Sequence, residues 1–276
     1  MAVAGSVLAA TLDLLGEGVQ PGVKTSEMDQ LAERFIRSQG AVPSFKGFRG
    51  FPGSICTSPN AMVVHGIPGS YRLCAGDIIS VDVGVTLDGW VADAARTFAV
   101  GEVGEKAAGL LRATEASLYA GIDQARPGMR MGDLSHAVQA VAEEAGLSVI
   151  RQLVGHGIGR EMHEEPQVPN LGTPGDGPLL EEGMVLAIEP MTSLGSADIR
   201  VGSDGWSIFT RDQSLAAHFE HTVAITASGP RILTPWHRPA SERPELPRPA
   251  AANGAGAAAA GSEGGRGEAE PELSQG

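Results

Sequence analysis

The amino-acid sequence predicts an α+β fold made of two similar halves. Its 276 residues leave enough length for a sizeable core in one or two domains. Two helical segments followed by strand segments occur twice along the chain. One pair of strand segments is joined by an Asp-Gly turn, which is typical of an antiparallel hairpin. No residue-level repeat between the halves accompanies this order of elements.

The first half begins with two predicted helices. A helix over residues 1–18 is indicated by apolar residues at helical spacing, namely Val3, Val7, Ala10 and Leu14. A second helix is predicted to open at Thr25 or Ser26, with Asp29 or Glu27 as the acid of its capping box. It runs to about Gln39 and is closed by Gly40 and Pro43.

A β-hairpin follows the two helices. Residues 78–85 and 90–98 read as strands, and positions 88–89 supply the Asp-Gly turn. A two-residue turn fixes the register, which makes Asp82 and Asp93 diagonal neighbours on one face with Cβ atoms roughly 7 Å apart. Both carboxylates would then reach one or two shared cations.

The second half repeats the order of helices and strands. Its predicted helices cover about 104–126 and 131–146. Its remaining predicted segments are a strand region over 149–159, a Pro/Gly-rich loop over 166–183, and strands at 184–188, 206–210 and 217–226. After Trp236 the composition shifts to Ala, Gly, Pro and Glu, so residues 237–276 are predicted to form a disordered tail.

Composition excludes several classes of protein. Lys plus Arg is 20 against 33 Asp plus Glu, and a net charge of -13 argues against binding a nucleic-acid backbone as the main activity. The two cysteines, Cys56 and Cys74, cannot build a disulfide framework, which favours a reducing compartment such as the cytoplasm. No apolar run approaches the ~18 residues that span a bilayer, so no membrane partner is expected.

Four carboxylates occupy strands that should be buried: Asp82, Asp93, Glu189 and Glu220. Two isolated aspartates on an amphipathic hairpin would more often face water. Four buried acids without partners, however, would strongly destabilise the fold. Few basic residues lie near these acids, so a bound cation is the simplest partner that would neutralise their charge. The segment 155–163 adds a nitrogen ligand from one of its histidines, and this oxygen-rich set suits Mn, Fe, Co or Zn, as one ion or two.

Other motifs and histidines narrow the chemistry. The chain has neither the G-x-G-x-x-G nor the H-E-x-x-H pattern at 155–167, and it has no G-x-S-x-G elbow. The glycines at 155–159 allow another backbone to come close. Phe45, Phe48 and Phe51 with Cys56 could line an apolar pocket, although a plain core cluster has the same spacing. His218 and His221 flank Glu220, as supports of the site or as ordinary strand residues.

Five segments together resemble a type I methionine aminopeptidase over about residues 1–234. In chain order they are Val64-His65-Gly66-Ile67-Pro68, Val81-Asp82 with Asp93, Gly155-His156-Gly157-Ile158-Gly159 with His163-Glu164-Glu165-Pro166, Ile188-Glu189-Pro190, and Phe219-Glu220-His221-Thr222. The resemblance implies a pita-bread fold, in which two pseudo-symmetric halves with helices pack on a curved antiparallel sheet. It also implies a catalytic domain over 1–236 that holds two divalent metal ions.

The same resemblance implies the roles of individual residues. The implied metal ligands are Asp82, Asp93, His156, Glu189 and Glu220. Glu189 is also the candidate that takes a proton from water, His163 the donor to the developing oxyanion, and His65 the contact to the scissile nitrogen. The implied pocket for the methionine side chain consists of Phe48, Phe51, Cys56 and Trp206.

The implied activity is hydrolysis of N-terminal methionine from peptides and nascent proteins with a small second residue. The ribosome is a further candidate partner, although an acidic chain has no electrostatic reason to dock on RNA, and a monomer is the expected state. A related X-Pro peptidase and a non-catalytic binding module on the same fold are the alternatives. Two departures from the family pattern carry their own expectations. The short N-terminus predicts a short first helix, through a misassigned start or a weaker edge of the fold. Ala61-Met62, where the family usually has an acidic residue, predicts an altered loop cation site or pocket rim.

Overall fold

The computed structural model describes residues 1–236. The predicted tail, residues 237–276, lies outside this range. Among the described residues, no helix combines the length and the hydropathy that crossing a membrane requires.

The helices and strands follow the predicted order, with additional short strands. The helices are α1 (Ala2–Gly18), α2 (Thr25–Ser38), α3 (Glu105–Gln124) and α4 (Met131–Glu144). The strands are β1 (Val42–Pro43), β2 (Cys56–Pro59), β3 (Met62–Val64), β4 (Ile78–Leu87), β5 (Trp90–Ala99), β6 (Ser148–Val149), β7 (Gly155–Gly157), β8 (Glu164–Val168), β9 (Val185–Ile188), β10 (Met191–Ser193), β11 (Ile199–Val201), β12 (Ile208–Thr210), β13 (Ala216–His218), β14 (His221–Thr226) and β15 (Gly229–Ile232).

Helix α1 packs on the hairpin through a face different from the predicted one. Val3 is 68% exposed, whereas Leu8, Leu12 and Leu15 are buried and belong to the core formed with β4 and β5. This orientation is favoured because the helix buries its larger leucine side chains, which remove more apolar area from water than alanine or valine would.

Helix α2 begins at Thr25, as predicted, but its two capping candidates have different partners. The Glu27 carboxylate accepts the backbone N–H of Lys24 at 3.0 Å, so Glu27 caps the helix. Asp29 instead accepts the backbone N–H groups of Ser54 at 2.6 Å and Ile55 at 3.2 Å. Asp29 therefore fixes the segment that leads into β2.

The predicted register of the hairpin is confirmed. Asp82 pairs with Ala95, and Gly84 pairs with Asp93. Asp88 and Gly89 both have positive φ angles, 52° and 71°, as a tight hairpin turn between right-twisted strands requires. Val81, Val83 and Val85 of β4 are buried in the first core, so the aspartates lie on the opposite face.

Each half has its own hydrophobic core. The first core joins α1 and α2 to one face of the hairpin. The second joins α3 and α4 to β9 and β14, with Leu118, Leu134, Leu186 and Val223 among its buried members. Two helices on antiparallel strands therefore occur in both halves.

Three predicted segments differ in detail from the structure. The region 149–159 contains two short strands, β6 and β7, that belong to different sheets, and β8 extends into the predicted loop at 166–183. The segment 217–226 is divided into β13 and β14, with Glu220 at the interruption. Two of the differences lie where the chain passes from one sheet to another, and the third is the edge strand β8, which pairs with β7. Local residue patterns do not encode such pairing.

Hydrogen bonds join the strands of the two halves next to the interruption. The hydroxyl of Thr222 accepts the Asp93 N–H at 2.9 Å and donates to the Asp93 carbonyl at 2.7 Å. The Glu220 N–H donates to the Ala95 carbonyl at 2.9 Å, and Thr97 makes the equivalent pair of bonds with the backbone of His218. The segment 218–222 therefore runs along β5, which brings the acids of both halves together.

Candidate metal centre and adjoining pocket

A cavity of about 190 Å³ opens where β4 and β5 meet the strands of the second half. Its lining includes every side chain that the sequence assigned to the site, together with Phe45, which the sequence placed in an apolar pocket. Arg49 and Met162 also line it and were not predicted. The full lining is Phe45, Phe48, Arg49, Phe51, Cys56, His65, Asp82, Asp93, His156, Met162, His163, Glu189, Trp206 and Glu220.

The carboxylates and one imidazole converge at the floor of this cavity. One donor atom each from Asp93, His156 and Glu220 lie within 4.8 Å of one another. His156 Nε2 lies 3.7 Å from Glu189 Oε1, and Asp82 lines the same cavity. Asp82 and Asp93 come from the hairpin, whereas the other three residues come from the second half, so the cluster forms only when both halves pack together.

The four acids are strongly perturbed because they are buried together. Burial, followed by smaller electrostatic effects of the neighbouring groups, raises the pKa of Asp82 to about 7. Burial likewise raises the pKa of Glu189 to about 7. The pKa values of Asp93 and Glu220 are raised well above the usual range by burial and then by the neighbouring carboxylates. In the absence of a cation, these acids retain protons that a free carboxyl group would lose.

The donor set fits divalent cations. Asp82 Oδ1, Asp93 Oδ1 and Glu220 Oε1 are buried and have no hydrogen-bond partner among residues 1–236. Buried oxygens without partners are costly unless a cation or a proton satisfies them. Carboxylate oxygens with one imidazole nitrogen suit Mn, Fe, Co or Zn, and the chemistry of the donors does not choose among these metals.

His156 is oriented by its own backbone segment. Its Nδ1 lies 2.8 Å from the carbonyl oxygen of Gly157, which directs Nε2 toward Glu189. The sequence predicts that another backbone comes close to the glycines of this segment, and the backbone of Glu165 does so at Gly157. A Cβ on Gly157 would lie 2.2 Å from the carbonyl oxygen of Glu165. A residue with a side chain at 157 would push β8 away from β7.

Aromatic side chains form one wall of the cavity. Phe51 and Trp206 make an edge-to-face contact with ring centroids 5.2 Å apart. Cys56 pairs with Asp82 across β2 and β4, which places this wall beside the acids. Burial raises the pKa of the Cys56 thiol well above its usual value, so Cys56 acts as a small apolar residue.

Two further histidines border the cavity. His65 has a positive φ of 59°, a backbone conformation uncommon for a residue with a side chain. Poor hydration lowers the pKa of His65 to about 4. The ring of His163 lies 4.3 Å from that of His156 and 5.6 Å from that of Phe48. Burial, and then the charge of Arg49, lowers the pKa of His163, so both imidazoles are neutral at pH 7.

His218 also lies in the acidic cluster. One donor atom each from Glu189, His218 and Glu220 lie within 4.8 Å of one another. Burial lowers the pKa of His218 to about 4, so this imidazole is neutral at pH 7. The sequence left its role open, because nothing in its position beside Glu220 distinguishes a support of the site from an ordinary strand residue.

A carboxylate and imidazole cluster that could hold divalent cations, beside an apolar cavity in an antiparallel α+β scaffold, is the arrangement expected of a metal-dependent hydrolase. Comparison with known families agrees, since residues 1–227 match the model of Metallopeptidase family M24. The chain belongs to this family.

Relatives and solved structures specify the kind of M24 protein that the chain resembles. It is 53% identical over 234 residues to the methionine aminopeptidase of Clostridium perfringens, an alignment that covers 85% of this chain and 94% of that protein. It is 50% identical to methionine aminopeptidase 1 of Bacillus subtilis, again over 85% and 94%. The crystal structure of the Rickettsia prowazekii methionine aminopeptidase superposes with a TM-score of 0.84 at 43% identity, over 85% of this chain and 95% of that one.

These comparisons confirm the predicted pita-bread fold and the family resemblance. The fold also extends to X-Pro peptidases. The prolidase of Pyrococcus furiosus superposes with a TM-score of 0.70, but at 23% identity and over only 63% of its own chain. That likeness shows a shared fold alone.

Proposed function

We propose that the chain is a metal-dependent aminopeptidase that removes the N-terminal methionine of peptides and nascent proteins with a small second residue. The observation that carries the proposal is the convergence of three buried carboxylates, the partly buried Glu189 and one imidazole beside an aromatic pocket. The strong resemblance to bacterial methionine aminopeptidases over most of the chain supports it.

We assign two divalent cations to Asp82, Asp93, His156, Glu189 and Glu220. When bound, such cations supply Lewis acidity that polarises a peptide carbonyl and makes water nucleophilic at neutral pH. Glu189 accepts the proton of the attacking water, because its carboxylate lines the cavity beside the other assigned ligands.

The two neutral histidines at the cavity contact the reacting peptide. His163 donates a hydrogen bond to the oxygen of the first carbonyl as negative charge develops on it. His65 contacts the nitrogen of the scissile bond. Neutral imidazoles have both a donor and an acceptor nitrogen, so each can make its contact near pH 7.

The aromatic wall holds the methionine side chain. Phe48, Phe51, Cys56 and Trp206 present apolar surface next to the acids, and a thioether packs favourably against aromatic ring edges. We expect a large second residue to clash with the narrow mouth of the cavity, which would restrict substrates to those with a small second residue.

Hydrolysis of the peptide Met-Ala-Ser tests the assignment. Protein stripped of metal by a chelator should release no methionine, and addition of Co, Mn, Fe or Zn one at a time should restore release. Asp93→Asn should abolish the metal-dependent release while the protein remains folded by circular dichroism. Undiminished release by Asp93→Asn would overturn the proposal.

The same assay separates the alternatives. An X-Pro peptidase would cleave Ala-Pro peptides in preference to Met-Ala-Ser, and a binding module would take up metal without cleaving either peptide. The shared fold with prolidases at 23% identity does not favour the first of these.

The proposed function also includes the compartment, the oligomeric state and the cellular substrates of the enzyme. We propose a cytoplasmic monomer that acts on peptide N-termini, including those of chains still on the ribosome. The two cysteines, one buried and one exposed, are both free thiols, in keeping with a reducing compartment. Metal-dependent assays and sedimentation of the purified protein would identify the preferred cation and test the monomer.

A further inference from the structure

The imidazole of His218 lies behind the candidate metal centre. Its side chain is buried, with 2% exposed. Among residues 1–236, the lining of the cavity includes Glu189 and Glu220 but not His218. The ring therefore contacts the acidic cluster from outside the cavity.

The ring nitrogens of His218 lack hydrogen bonds although they are buried. Within the described part of the chain, neither Nδ1 nor Nε2 has a hydrogen-bond partner. Nε2 lies 3.6 Å from Glu189 Oε2 and 3.7 Å from Glu220 Oε2. These distances are slightly too long for hydrogen bonds, so a small movement of either carboxylate toward the ring would satisfy a buried donor.

The backbone of His218 is fixed, so the ring cannot easily move away. The hydroxyl of Thr97 accepts the His218 N–H at 2.9 Å and donates to the His218 carbonyl at 2.8 Å. His218 also pairs with Met191 in the sheet, two residues beyond Glu189. The ring therefore meets Glu189 from a neighbouring strand and Glu220 from its own chain segment.

His156 and His218 approach opposite oxygens of the same carboxylate. His156 Nε2 is 3.7 Å from Glu189 Oε1, and His218 Nε2 is 3.6 Å from Glu189 Oε2. Of these two histidines, His156 lines the cavity, where a cation would be held, and His218 does not. In metal sites, carboxylate ligands are commonly held in place by hydrogen-bond donors on their outer side.

We propose that His218 is a positioning residue whose Nε2–H donates to the outer oxygens of Glu189 and Glu220 and so holds their other oxygens toward the cations. This inference rests on the proposed function, because it assumes that the two carboxylates bind metal. The hydrogen bonds would form when each carboxylate turns one oxygen toward the cavity and the other toward the His218 ring.

Titration of chelated protein with Mn²⁺ in a calorimeter tests the role. We expect His218→Leu, which removes the donor, to weaken Mn²⁺ binding about 10–100-fold. His218→Gln, which keeps an N–H donor at similar reach but lacks the imidazole nitrogen that would bind a metal directly, should restore affinity to within about threefold of the wild type. The visible absorption of Co²⁺-loaded protein should change in His218→Leu and return in His218→Gln.

A matched control is available on the same strand region. His221 is buried one residue beyond Glu220, but its Nδ1 lies 3.1 Å from the Thr234 hydroxyl and its Nε2 lies 3.3 Å from the Tyr119 hydroxyl. His221→Gln should therefore leave Mn²⁺ affinity unchanged. If His218→Leu does not fold, His218→Asn, whose amide is one methylene shorter, provides the same comparison with His218→Gln.

Two outcomes would overturn the positioning role. Unchanged Mn²⁺ affinity in His218→Leu would show that the ring does not support the ligands. Equal loss in His218→Leu and His218→Gln would indicate that His218 itself binds the metal. A wild-type protein that binds Mn²⁺ but releases no methionine from Met-Ala-Ser would defeat the proposed function and leave this comparison of affinities intact.

Discussion

At the scale of single residues, Asp93 shows how the candidate site lowers the stability of the fold when no cation is bound. Its carboxyl group is buried beside three other acids, and its raised pKa means that the folded protein holds a proton more tightly than the unfolded chain does. Such a group destabilises the fold progressively as pH rises above about 4, the pKa of an unfolded aspartate.

Asp93→Asn should therefore stabilise the metal-free protein, and increasingly so at higher pH. Between about pH 4 and pH 7 we expect its free energy of unfolding to gain on that of the wild type by up to about 1.4 kcal/mol per pH unit. Urea denaturation in the presence of a chelator measures this difference. Asp88→Asn, in the hairpin turn, is a control that should show no such trend, and a pH-independent difference for Asp93→Asn would contradict the prediction.

Trp206 allows a test of the aromatic wall. Trp206→Ala removes the ring that meets Phe51 at 5.2 Å. We expect a loss of about 1–2 kcal/mol of substrate binding, or roughly 5–30-fold in kcat/KM for Met-Ala-Ser, mainly through KM. Trp90→Ala serves as the control, because Trp90 packs against Arg160 and does not line the cavity. Equal effects of the two variants would indicate that methionine binds elsewhere.

The acids of the site could be predicted because each is a charged residue in or beside an apolar segment that is expected to be buried. Asp82, Glu189 and Glu220 stand out because an acid in an apolar strand needs a partner. Arg49 and Met162 could not be found in this way. An exposed arginine and a buried methionine are ordinary in their local sequences, and only the three-dimensional fold brings them to the cavity.

At the scale of secondary-structure elements, the hairpin was predictable and the short strands were not. The Asp-Gly turn between β4 and β5 determines which residues pair, so the relation between Asp82 and Asp93 follows from local sequence. Strands such as β6 and β10 have two or three residues, and their pairing depends on distant partners. Strands of two or three residues are too short to show the alternation of apolar and polar residues by which a strand is predicted.

The approach of β7 to β8 gives a prediction for Gly157. Gly157→Ala places a Cβ 2.2 Å from the Glu165 carbonyl, so the two strands must separate. We expect a loss of about 1–3 kcal/mol in stability, together with weaker metal binding because His156 would move. Thermal denaturation and metal titration measure the two effects.

Gly104→Ala is the matched control for Gly157→Ala. Gly104 has a φ of -63° and open space where its Cβ would lie, so we expect a loss of no more than about 1 kcal/mol, from a weaker cap of α3 alone. If Gly157→Ala were as well tolerated as Gly104→Ala, the close approach of the strands would not constrain His156.

At the scale of the whole molecule, the candidate site lies at the junction of two separately packed halves. Asp82 and Asp93 belong to the first half, and Glu189 and Glu220 to the second, each with its own core. The repeated order of helices and strands predicted the two halves. Their contact could not be predicted from local patterns, because it depends on hydrogen bonds such as that between Thr222 and Asp93, 129 residues apart.

This arrangement predicts that cations stabilise the molecule as a unit. A cation held by acids from both halves binds the assembled fold and not the unfolded chain, so Mn²⁺ at 100 times its Kd should add about 2.7 kcal/mol. For a domain of this size, that corresponds to an increase in Tm of roughly 5–10 °C in calorimetry, reversed by a chelator. Glu220→Gln, which removes one carboxylate from the second half, should lose most of the increase. A Tm that does not respond to Mn²⁺, or an equal response in Glu220→Gln, would show that the acids of the two halves do not share a cation.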